Sequence, residues 1–431
     1  MDTKALYELY KKHPVITTDS RNCPKGSIFI ALKGASFNGN AFAEKALEEG
    51  CAYAIIDEAQ YKKDDRYIVV DDCLQTFKNI AREHRRQFDI PVIGITGTNG
   101  KTTTKELIAA VLQKKYNVMY TQGNFNNDVG VPKTLLRLDE THDIAVVEMG
   151  ASHPGDIKTL VETAEPTCGL ITNVGRAHLQ GFGSFEGVKK TKGELYDFLK
   201  KQNALTFINS GNADLTEMAA ERGLDRCVCY SQAENENVCG EMLQCAPLLS
   251  FRWKQADGEW HEVDTQLIGA YNLDNILAAI AIGLYFEVPA NDISNAISEY
   301  KPNNNRSQLD ITAKNKLIVD AYNANPTSMA AAIDNFIVMA VEPKMAIIGQ
   351  MGELGEVSDE EHRKVVKKLT EANFDEVWLV GENYKDIPCP FRKFSNVEEV
   401  KNAIADAPVE NRYILIKGSN AVKLYELKDL L

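Results

Sequence analysis

The sequence lacks the features of a membrane span, a signal peptide and a nucleic-acid-binding surface. None of its apolar runs approaches the roughly 20 residues that cross a bilayer, and "MDTKALYELYKKHP" at its start has no apolar signal core. The formal net charge is 48 − 61 = −13, which disfavours binding to a phosphate backbone through a basic face. We therefore expect a cytoplasmic protein, without a membrane span or a nucleic-acid partner, and we expect a monomer.

Cysteine is sparse, with nine residues at irregular spacing and no CxxC pair. An odd, scattered set favours reduced thiols over a disulfide framework. The pair in "CVC" (227–229) has no nearby pair of histidines, so we interpret it as part of a strand core rather than as a metal site.

The pattern along the chain predicts an α/β protein, and 431 residues are enough for two or three domains. In residues 1–88, "GSIFIAL" (26–32) and "AYAIID" (52–57) predict short strands. Between them, "NAFAEKALEEG" (40–50) predicts a helix that Gly50 closes at its C-terminal end. We expect this block to be a small mixed α/β domain.

The rest of the chain alternates short apolar runs with helical stretches. In residues 89–300 the runs include "PVIGIT", "NVMYT", "DIAVVEM" and "CGLIT", and they predict a parallel sheet covered by helices. The polar stretch "KPNNNRSQ" (301–308) predicts a linker. Residues 301–431 resume the alternation with "KLIVDAY", "KMAIIG", "EVWLVG", "YILIKG" and a last short helix, which predicts a second βα sheet.

The glycine-rich stretch "GITGTNGKTTTKEL" (94–107) joins a predicted strand to a predicted helix. Exposed N–H groups and the helix dipole favour an anion at such a junction. Gly97 and Gly100 let the backbone approach phosphate oxygens. Lys101 can reach the outer phosphates, and the Thr102 hydroxyl can ligate Mg²⁺. Ile95 replaces the first Gly of the longer GxxxxGK[ST] pattern, so the match is G-x-x-G-K-T, which still predicts a nucleoside triphosphate.

A triphosphate site needs an acid for its metal ion, and two later residues are candidates for metal binding. Glu148 ends the predicted strand "DIAVVEM", and its position relative to the glycine loop favours the metal role over that of an ordinary strand-end carboxylate. His178 follows the predicted strand "CGLIT". A lone histidine is more often structural than a ligand, so His178 carries less weight.

Two other groups of polar residues, a set of lysines and a pair of asparagines, have a structural interpretation as well as a functional one. By composition, Lys189, Lys190 and Lys192 in "GVKKTKGELY" predict a solvated helix face. Asn272 and Asn275 lie near the start of a predicted buried helix (269–285), and their spacing places both amides on one face. They would either cap this helix or recognise an adenine edge, and the sequence leaves both alternatives open.

Several of these segments together resemble the Mur ligase family, the ATP-dependent amide-forming enzymes of bacterial peptidoglycan synthesis. The resemblance covers nearly the whole chain and rests on "GTNGKTT", "GNFNNDVGVP" (123–132), "EMGASHPGDI" (148–157), "AHLQGFGS" (177–184) and "VDAYNANPTSM" (319–329). It implies a small uridine-nucleotide domain at 1–88, which "TDSRNCPKGSIFIALKGASFNGN" resembles. A central P-loop-type ATP domain at 89–300 and a Rossmann-like C-terminal domain at 301–431 would follow.

The resemblance also implies ATP, two Mg²⁺ ions and a role for each matching residue. The implied ATP contacts are Gly97, Thr98, Asn99, Gly100, Lys101, Thr102, Thr103, Asn275, Arg306 and Asp320. The implied metal ligands are Thr102, Glu148, His178 and a carbamylated Lys192, and the implied catalytic residues are Lys101, His178, Lys192 and Arg306. The implied substrate contacts are Ser20, Arg21 and Lys33 for the uridine nucleotide, Asn126 and Asn127 for the sugar, and Asn323, Asn325 and Ser328 for the amine.

The branch of the family that these segments resemble joins D-alanyl-D-alanine to UDP-N-acetylmuramoyl-tripeptide through an acyl phosphate. The rival interpretations are another Mur-type amino acid ligase, folylpolyglutamate synthetase, or a nucleotide-binding regulator that hydrolyses ATP without ligation. Asn38, Asn40, Gln350 and Asn420 depart from the residues that the family usually has. The third residue of the tripeptide, diaminopimelate or lysine, stays open.

Overall fold

The computed structural model describes residues 2–234, 236–302, 306 and 308–431, and its architecture is α/β. Along the described chain the strands are β1 Ile16–Thr17, β2 Ile28–Ile30, β3 Lys33–Gly34, β4 Phe37–Asn38, β5 Tyr53–Ile56, β6 Tyr67–Val69, β7 Val92–Thr96, β8 Val118–Tyr120, β9 Ile144–Glu148, β10 Cys168–Ile171, β11 Leu205–Asn209, β12 Cys227–Ser231, β13 Val238–Cys245, β14 Leu248–Gln255, β15 His261–Ile268, β16 Gln308–Ile311, β17 Lys316–Asp320, β18 Lys344–Gly349, β19 Glu376–Val380, β20 Arg392–Phe394 and β21 Tyr413–Lys417.

Helices are interleaved with these strands. The α-helices are α1 Thr3–Lys12, α2 Ala43–Glu48, α3 Cys73–Arg85, α4 Lys101–Leu112, α5 Gly130–Leu135, α6 Asp156–Ala164, α7 Leu179–Phe182, α8 Phe185–Lys201, α9 Ala213–Glu221, α10 Asn272–Tyr285, α11 Ala290–Glu299, α12 Pro326–Val338, α13 Ser358–Ala372 and α14 Val397–Asp406. Short 3₁₀ helices span Gly39–Phe42, Ala59–Tyr61, Gly355–Val357, Glu382–Tyr384, Asn420–Val422 and Leu424–Leu427.

The chain divides into two compact units, and the first comprises the chain up to Gly94 with Asn117–Met149 and Lys158–Thr167. A four-stranded parallel sheet in the order β1-β2-β5-β6 packs with α1, α2 and α3. A second set of strands in this unit has the order β7-β9-β8, with β8 parallel to β9. The parallel arrangement follows from helices connecting successive strands.

The second unit comprises Ile95–Tyr116, Gly150–Ile157 and Cys168–Leu431. Its first sheet runs β10-β11-β12-β13 in parallel and then continues through the antiparallel strands β14 and β15. Its other sheet has the order β16-β17-β21-β18-β19-β20, in which only β16 is antiparallel to its neighbour among the described pairs.

The six-stranded sheet is buried on both faces, which explains its continuous apolar runs. In β18, Ala346 and Ile348 pack into one core with α12 and α13, whereas Met345 and Ile347 pack into another with α14. Successive strand residues point to opposite faces, so a strand covered on both sides needs apolar residues at every position.

The predicted α/β class is confirmed, and so are most of the strands predicted from apolar runs. The helix predicted at 40–50 is shorter, because Gly39–Phe42 forms a 3₁₀ turn, and Gly50 follows its end at φ +126°. The last short helix is replaced by two 3₁₀ turns, since Lys423 between them has φ +58°.

The β13–β15 segment, the "CVC" strand and the linker were not fully described by the sequence-based prediction. The β13–β15 segment is an antiparallel meander within a block predicted to be parallel. Its alternating burial in β14 is a period-two pattern that the sequence already carried. "CVC" lies in strand β12 but is only half-buried. Half of the predicted linker 301–308, namely residues 303–305 and 307, lies outside the described residues. No described helix is long and apolar enough to span a bilayer.

Candidate active site

The glycine loop has the strand–loop–helix geometry expected of a phosphate site. Strand β7 ends at Thr96, and helix α4 begins at Lys101, directly after Gly100. The N–H groups of the first turn of α4 lack partners within the helix, and the helix dipole adds partial positive charge there. This part of the sequence-based prediction is confirmed.

Both glycines are required by conformation and by space. Gly97 has φ +144° and Gly100 has φ +79°, and residues other than glycine are strained at such angles. A Cβ atom on Gly97 would collide with the Thr172 hydroxyl, and one on Gly100 would lie 2.5 Å from Asn275 Oδ1. Thr172 and Asn275 therefore pack closely against the loop, which leaves no room for a side chain at either glycine.

The Lys101 side chain folds over its own loop. Its ammonium donates to the carbonyl oxygens of Gly97 at 2.8 Å and Thr98 at 3.0 Å. Thr102 and Thr103 are buried in the first turn of α4. Phosphate oxygens at this position would face an ammonium that the loop has already positioned.

Two residues that the sequence analysis missed, Thr172 and Asn173, hold this loop from the segment directly after strand β10. The Asn99 N–H donates to Asn173 Oδ1 at 3.0 Å. The Asn99 carbonyl accepts from Thr172 Oγ1 at 2.6 Å and from Asn173 Nδ2 at 3.0 Å. Thr98 Oγ1 accepts the Gly175 N–H at 2.9 Å. The available signal was the run of polar residues directly after the buried strand "CGLI".

Asn272 and Asn275 share one helix face, as their spacing predicted. Asn275 Nδ2 donates to Asn272 Oδ1 at 2.9 Å, and Asn275 Oδ1 accepts from Thr104 Oγ1 at 3.0 Å. The capping alternative is wrong, because Asn272 is already the first residue of α10 and Tyr271 before it forms no side-chain cap. The contact with adenine stays a prediction.

Lys192 is buried in α8, so the solvated-face prediction is wrong for this residue. Its side chain lies against the Phe182 ring at 5.5 Å, whereas Lys190 is exposed and Lys189 pairs with carboxylates of α9. Burial, and next the charge of Lys101, hold the pKa of Lys192 well below its ordinary value. The helical period turns Lys192 inward, and composition alone does not reveal this.

His178 is a second titratable group, and the charges of Lys101 and Lys192 act on it. Its backbone is left-handed at φ +50°, and its Nδ1 lies against the carboxylate of Glu353. Burial lowers the pKa of His178, the Glu353 carboxylate opposes this, and the charges of Lys101 and Lys192 add to the lowering. The sequence analysis missed Glu353, although "GQMGELG" follows strand β18 as the glycine loop follows β7.

Glu148 and the residues that contact it belong to the first compact unit. Glu148 ends β9, is 1% exposed, and accepts from Asn126 Nδ2 at 2.8 Å. Its N–H donates to Thr121 Oγ1 at 3.0 Å. Asn127 Oδ1 accepts the N–H of Gly130 at 2.9 Å and so shapes the start of α5. Asn126 and Asn127 thus support local structure, and their contact with the sugar stays a prediction.

The predicted uridine-nucleotide residues lie in a region of charge pairs. Arg21 is exposed and donates to both carboxylate oxygens of Asp19 at 2.9 Å, and Ser20 lies between the two. Lys33 contacts Asp57 at 2.9 Å and Glu58 at 3.0 Å, and these hydrogen bonds raise its pKa.

Two of the asparagines that depart from the family pattern, Asn38 and Asn40, hydrogen-bond to the carboxylates of this charge cluster. Asn40 is 1% exposed, and its Nδ2 donates to Asp57 Oδ1 at 2.8 Å while its Oδ1 accepts the Asp57 N–H at 3.0 Å. Asn38 donates to Glu58 at 3.1 Å. Burial opposes the charged form of Asp57, but hydrogen bonds from Lys33 and Asn40 outweigh it and lower the pKa of that carboxyl.

The predicted site residues at the end of β17 and in the segment that follows it form hydrogen bonds or ion pairs with other protein groups. Asp320 pairs with the buried Lys417 at 2.8 Å, and Lys417 also donates to the Asn323 carbonyl at 2.6 Å. Asn325 Oδ1 accepts the Ser328 N–H at 2.9 Å, and the Ser328 hydroxyl accepts the Asn325 N–H at 3.1 Å, which forms a capping box at the start of α12.

The remaining positions have simpler contacts. Arg306 stacks on the Tyr322 ring at 3.9 Å, and this places the linker arginine beside the segment after β17. Gln350 Oε1 accepts the Asn383 N–H at 3.2 Å. Asn420 begins a 3₁₀ turn.

Among the described residues, no three His, Cys, Asp or Glu side chains converge on one point. Mg²⁺ is usually bound by one or two carboxylates together with substrate phosphates rather than by an all-protein cage. The second unit offers the Thr102 hydroxyl and the half-buried His178 imidazole as donors of this kind, and the first unit offers the buried Glu148 carboxylate.

Comparisons with known proteins match the chain along almost its entire length. Family models described as Mur ligase family, catalytic domain; Mur ligase middle domain; and Mur ligase, glutamate ligase domain match residues 14–97, 95–283 and 305–420. A UDP-N-acetylmuramoyl-tripeptide–D-alanyl-D-alanine ligase from Bacillus subtilis (strain 168) is 33% identical over 96% of this chain and 93% of its own length.

Two solved structures are similar to the whole chain. A crystal structure of MurF from Acinetobacter baumannii is 30% identical, with a TM-score of 0.88 over 96% of this chain and 92% of that one. MurF ligase from Thermotoga maritima in complex with ADP is 26% identical, with a TM-score of 0.86 over 96% of both chains. The chain belongs to the Mur ligase family of ATP-dependent, amide-bond-forming enzymes.

Proposed function

We propose that this chain joins D-alanyl-D-alanine to UDP-N-acetylmuramoyl-tripeptide, with ATP as the energy source, in peptidoglycan precursor synthesis. The observation that carries this proposal is the end-to-end match to ligases with that name, together with the glycine loop and Lys101 at the start of α4. We also propose domain boundaries at 1–88, 89–300 and 301–431, a monomer and a cytoplasmic location.

The proposed reaction has two steps. The tripeptide carboxylate attacks the γ-phosphorus of ATP, which gives an acyl phosphate and releases ADP. The amine of D-alanyl-D-alanine then attacks the acyl carbon, and inorganic phosphate leaves as the amide forms. Negative charge spreads over the transferred phosphoryl group, so cations in fixed positions lower the barrier. Lys101 and Arg306 are the proposed cations.

Thr102, Glu148, His178 and Lys192 are the proposed residues for two Mg²⁺ ions. When bound, Mg²⁺ would neutralise charge on the phosphate oxygens. Glu148 is already positioned by Asn126, and His178 is held against Glu353, so neither side chain needs to be ordered on binding. The other proposed ATP contacts are Gly97, Thr98, Asn99, Gly100, Thr103, Asn275 and Asp320.

We further propose that Lys192 is carbamylated. Burial lowers its pKa, which raises the fraction of neutral amine, the form that attacks CO₂. The N–C bond that forms replaces an N–H bond, and the released proton goes to solvent. The product is an anion, which would turn the repulsion between Lys101 and Lys192 into attraction. It would also offer Mg²⁺ oxygen ligands.

The proposed substrate contacts lie in two groups. Ser20, Arg21 and Lys33 would hold the uridine diphosphate, and Asn126 and Asn127 the sugar. Asn323, Asn325 and Ser328 would line the amine side, although the capping box shows that Asn325 and Ser328 also fix the start of α12. Binding far from the reacting carboxylate would position that carboxylate for attack.

A substrate panel tests this function directly. Purified protein is given ATP, Mg²⁺ and the tripeptide acceptor with D-alanyl-D-alanine, single amino acids or no amine, and phosphate release is measured. We expect release that requires both the acceptor and D-alanyl-D-alanine. Turnover with diaminopimelate, lysine or glutamate but not with the dipeptide would favour another Mur-type ligase. Release without any amine would favour a nucleotide hydrolase.

A further inference from the structure

The glycine loop Gly97–Gly100, which is proposed to hold ATP and is called the ATP loop below, is hydrogen-bonded through Asn99 to a residue 226 positions further along the chain. Asn325 Nδ2 donates to Asn99 Oδ1 at 2.8 Å, and Asn325 is 5% exposed. We propose that this hydrogen bond couples the state of the ATP loop to the first turn of α12. Asn325 would then act as a positioning residue for the ligation through Asn99, in addition to its proposed place on the amine side. This inference rests on the proposed function, because α12 follows the segment proposed to receive the amine.

The orientation of both amides is fixed by their surroundings. Asn325 Oδ1 accepts the Ser328 N–H, so only its NH₂ group can face Asn99. Asn99 must therefore present its oxygen. The pair accordingly forms one directed, partly buried hydrogen bond, with Asn325 as the donor. Asn325 itself is buried, so leaving its NH₂ group without a partner is costly.

Asn99 has little freedom to move independently of the loop. Its N–H and its carbonyl are held by Asn173, and the carbonyl also accepts from Thr172. A change in the loop backbone on nucleotide binding would therefore carry the Asn99 side chain with it. Since Asn325 caps α12, a displacement of its amide would act on the first turn of that helix.

A second set of contacts also links the ATP loop to the first turn of α12. Thr327 Oγ1, in the first turn of α12, accepts the Arg176 N–H at 3.1 Å. The preceding Gly175 donates its N–H to Thr98 of the ATP loop at 2.9 Å. The first turn of α12 is thus linked to the ATP loop directly through Asn99 and indirectly through Gly175–Arg176.

Coupling of this kind is reciprocal, because a ligand that stabilises one arrangement of the loop stabilises the matching arrangement of the helix. Nucleotide binding would set the first turn of α12 in place for the amine, and a bound amine would favour the loop arrangement that holds ATP. Loss of the bond would leave ATP binding largely intact but would impair the chemical step.

The test uses Asn325→Ser in the full chain. Serine is as good an N-cap as asparagine, but its short side chain does not reach Asn99. Asn396→Ser is the matched control, because Asn396 caps α14 through the Glu399 N–H at 3.1 Å. We expect kcat to fall by about 5- to 30-fold in Asn325→Ser, with KM for ATP changed by less than about threefold. Asn396→Ser should keep the wild-type rate.

A double variant identifies the bond itself. If Asn99 and Asn325 act through one hydrogen bond, Asn99→Ser with Asn325→Ser should be no slower than the slower single variant. Losses that multiply in the double variant would overturn the proposal, and so would a wild-type kcat in Asn325→Ser.

Hydrogen exchange gives a readout that does not depend on the amine. A non-hydrolysable ATP analogue with Mg²⁺ should slow exchange across the first turns of α12 by about fivefold in wild-type protein and in Asn396→Ser. We expect less than half of this protection in Asn325→Ser, and equal protection would overturn the coupling. If the protection pattern holds but D-alanyl-D-alanine is not a substrate, the proposed function fails and the coupling stands.

Discussion

Two regions of this protein are expected to hold nucleotide phosphates, and they are built differently. In the ATP loop, consecutive residues between β7 and α4 would supply the anion-binding groups, and Lys101 donates to the carbonyls of its own loop. In the N-terminal region, Lys33 contacts Asp57 and Glu58, which follow strand β5.

The two sites differ in how far apart in the sequence their residues lie. A short motif specifies a site made of backbone N–H groups, since two glycines and a helix start supply those groups from consecutive residues. The contacts from Thr172 and Asn173 then hold this loop in place. A site made of charged side chains depends on partners that only the fold brings together. An incoming phosphate at Lys33 would compete with two carboxylates for the same ammonium. Four substitutions test this contrast, in order of expected effect.

The largest effect is expected from Lys101→Ala. Removing the loop cation should lower the rate of phosphate release by on the order of 10²–10³, as for other charge stabilisers, without a change in thermal melting. Lys114→Ala, at the surface beyond the end of α4, is the control and should keep its activity. Near-normal turnover of a well-folded Lys101→Ala protein would contradict the ATP-loop assignment.

Lys192→Ala tests a lysine whose role depends on tertiary burial. We expect nearly complete loss of activity and partial rescue by a small carboxylic acid, which would supply the missing oxygens. Lys190→Ala, on the exposed face of the same helix, should remain active. Intact mass measured in bicarbonate should show one added CO₂ in the wild type, and its loss in Lys192→Ala. A wild-type rate in Lys192→Ala would refute this role.

Gly97→Ala tests how strictly the loop geometry is required. The new Cβ would collide with the Thr172 hydroxyl at φ +144°, so we expect a loss of at least about 2 kcal/mol in the free energy of unfolding and weaker ATP binding. Gly223→Ala is the control, because it has φ +58° but no atom within 4 Å of the new Cβ. Equal losses in both variants would show that backbone strain, rather than the contact with Thr172, limits the loop.

The smallest effect is expected from Asp57→Asn, which removes one partner of Lys33. Because the pKa of Asp57 is lowered in the folded protein, its stabilisation is present above the ordinary pKa near 4 and disappears as the pH falls through the lower folded value. We expect a loss of about 1 kcal/mol at pH 7, measured by denaturant unfolding.

In acid, the stability difference between wild type and Asp57→Asn should shrink, and the same titration measures it. The exposed Asp65→Asn should behave as wild type throughout. A difference that stays constant down to pH 2 would show that the Asp57 charge is not its source.

Much of the fold followed from apolar periodicity, because continuous runs such as β18 identify strands buried on both faces. The glycine loop was also predictable, since its spacing and its position between strand and helix are local properties. The antiparallel β13–β15 meander was missed because the βα alternation around it was extended across it, although its own alternation was visible.

The partners of the site residues were not predictable. Composition indicated an exposed Lys192, whereas this side chain is on the buried face of α8, against the Phe182 ring. Glu353 beside His178 and Lys417 beside Asp320 join segments that are far apart in the sequence. Pairs of this kind depend on packing between elements, which no local pattern encodes.

The sequence by itself determined the α/β class, the strand–loop–helix at residues 92–112 and the membership of the chain in its family, because each rests on spacing along the chain. Only the tertiary structure decided that Lys192 is buried, that Asn325 bonds to Asn99 and that Asp57 holds Lys33. The physical reason is that hydrogen bonds, ion pairs and desolvation depend on distances in space. Those distances are set only when separate helices and strands pack together.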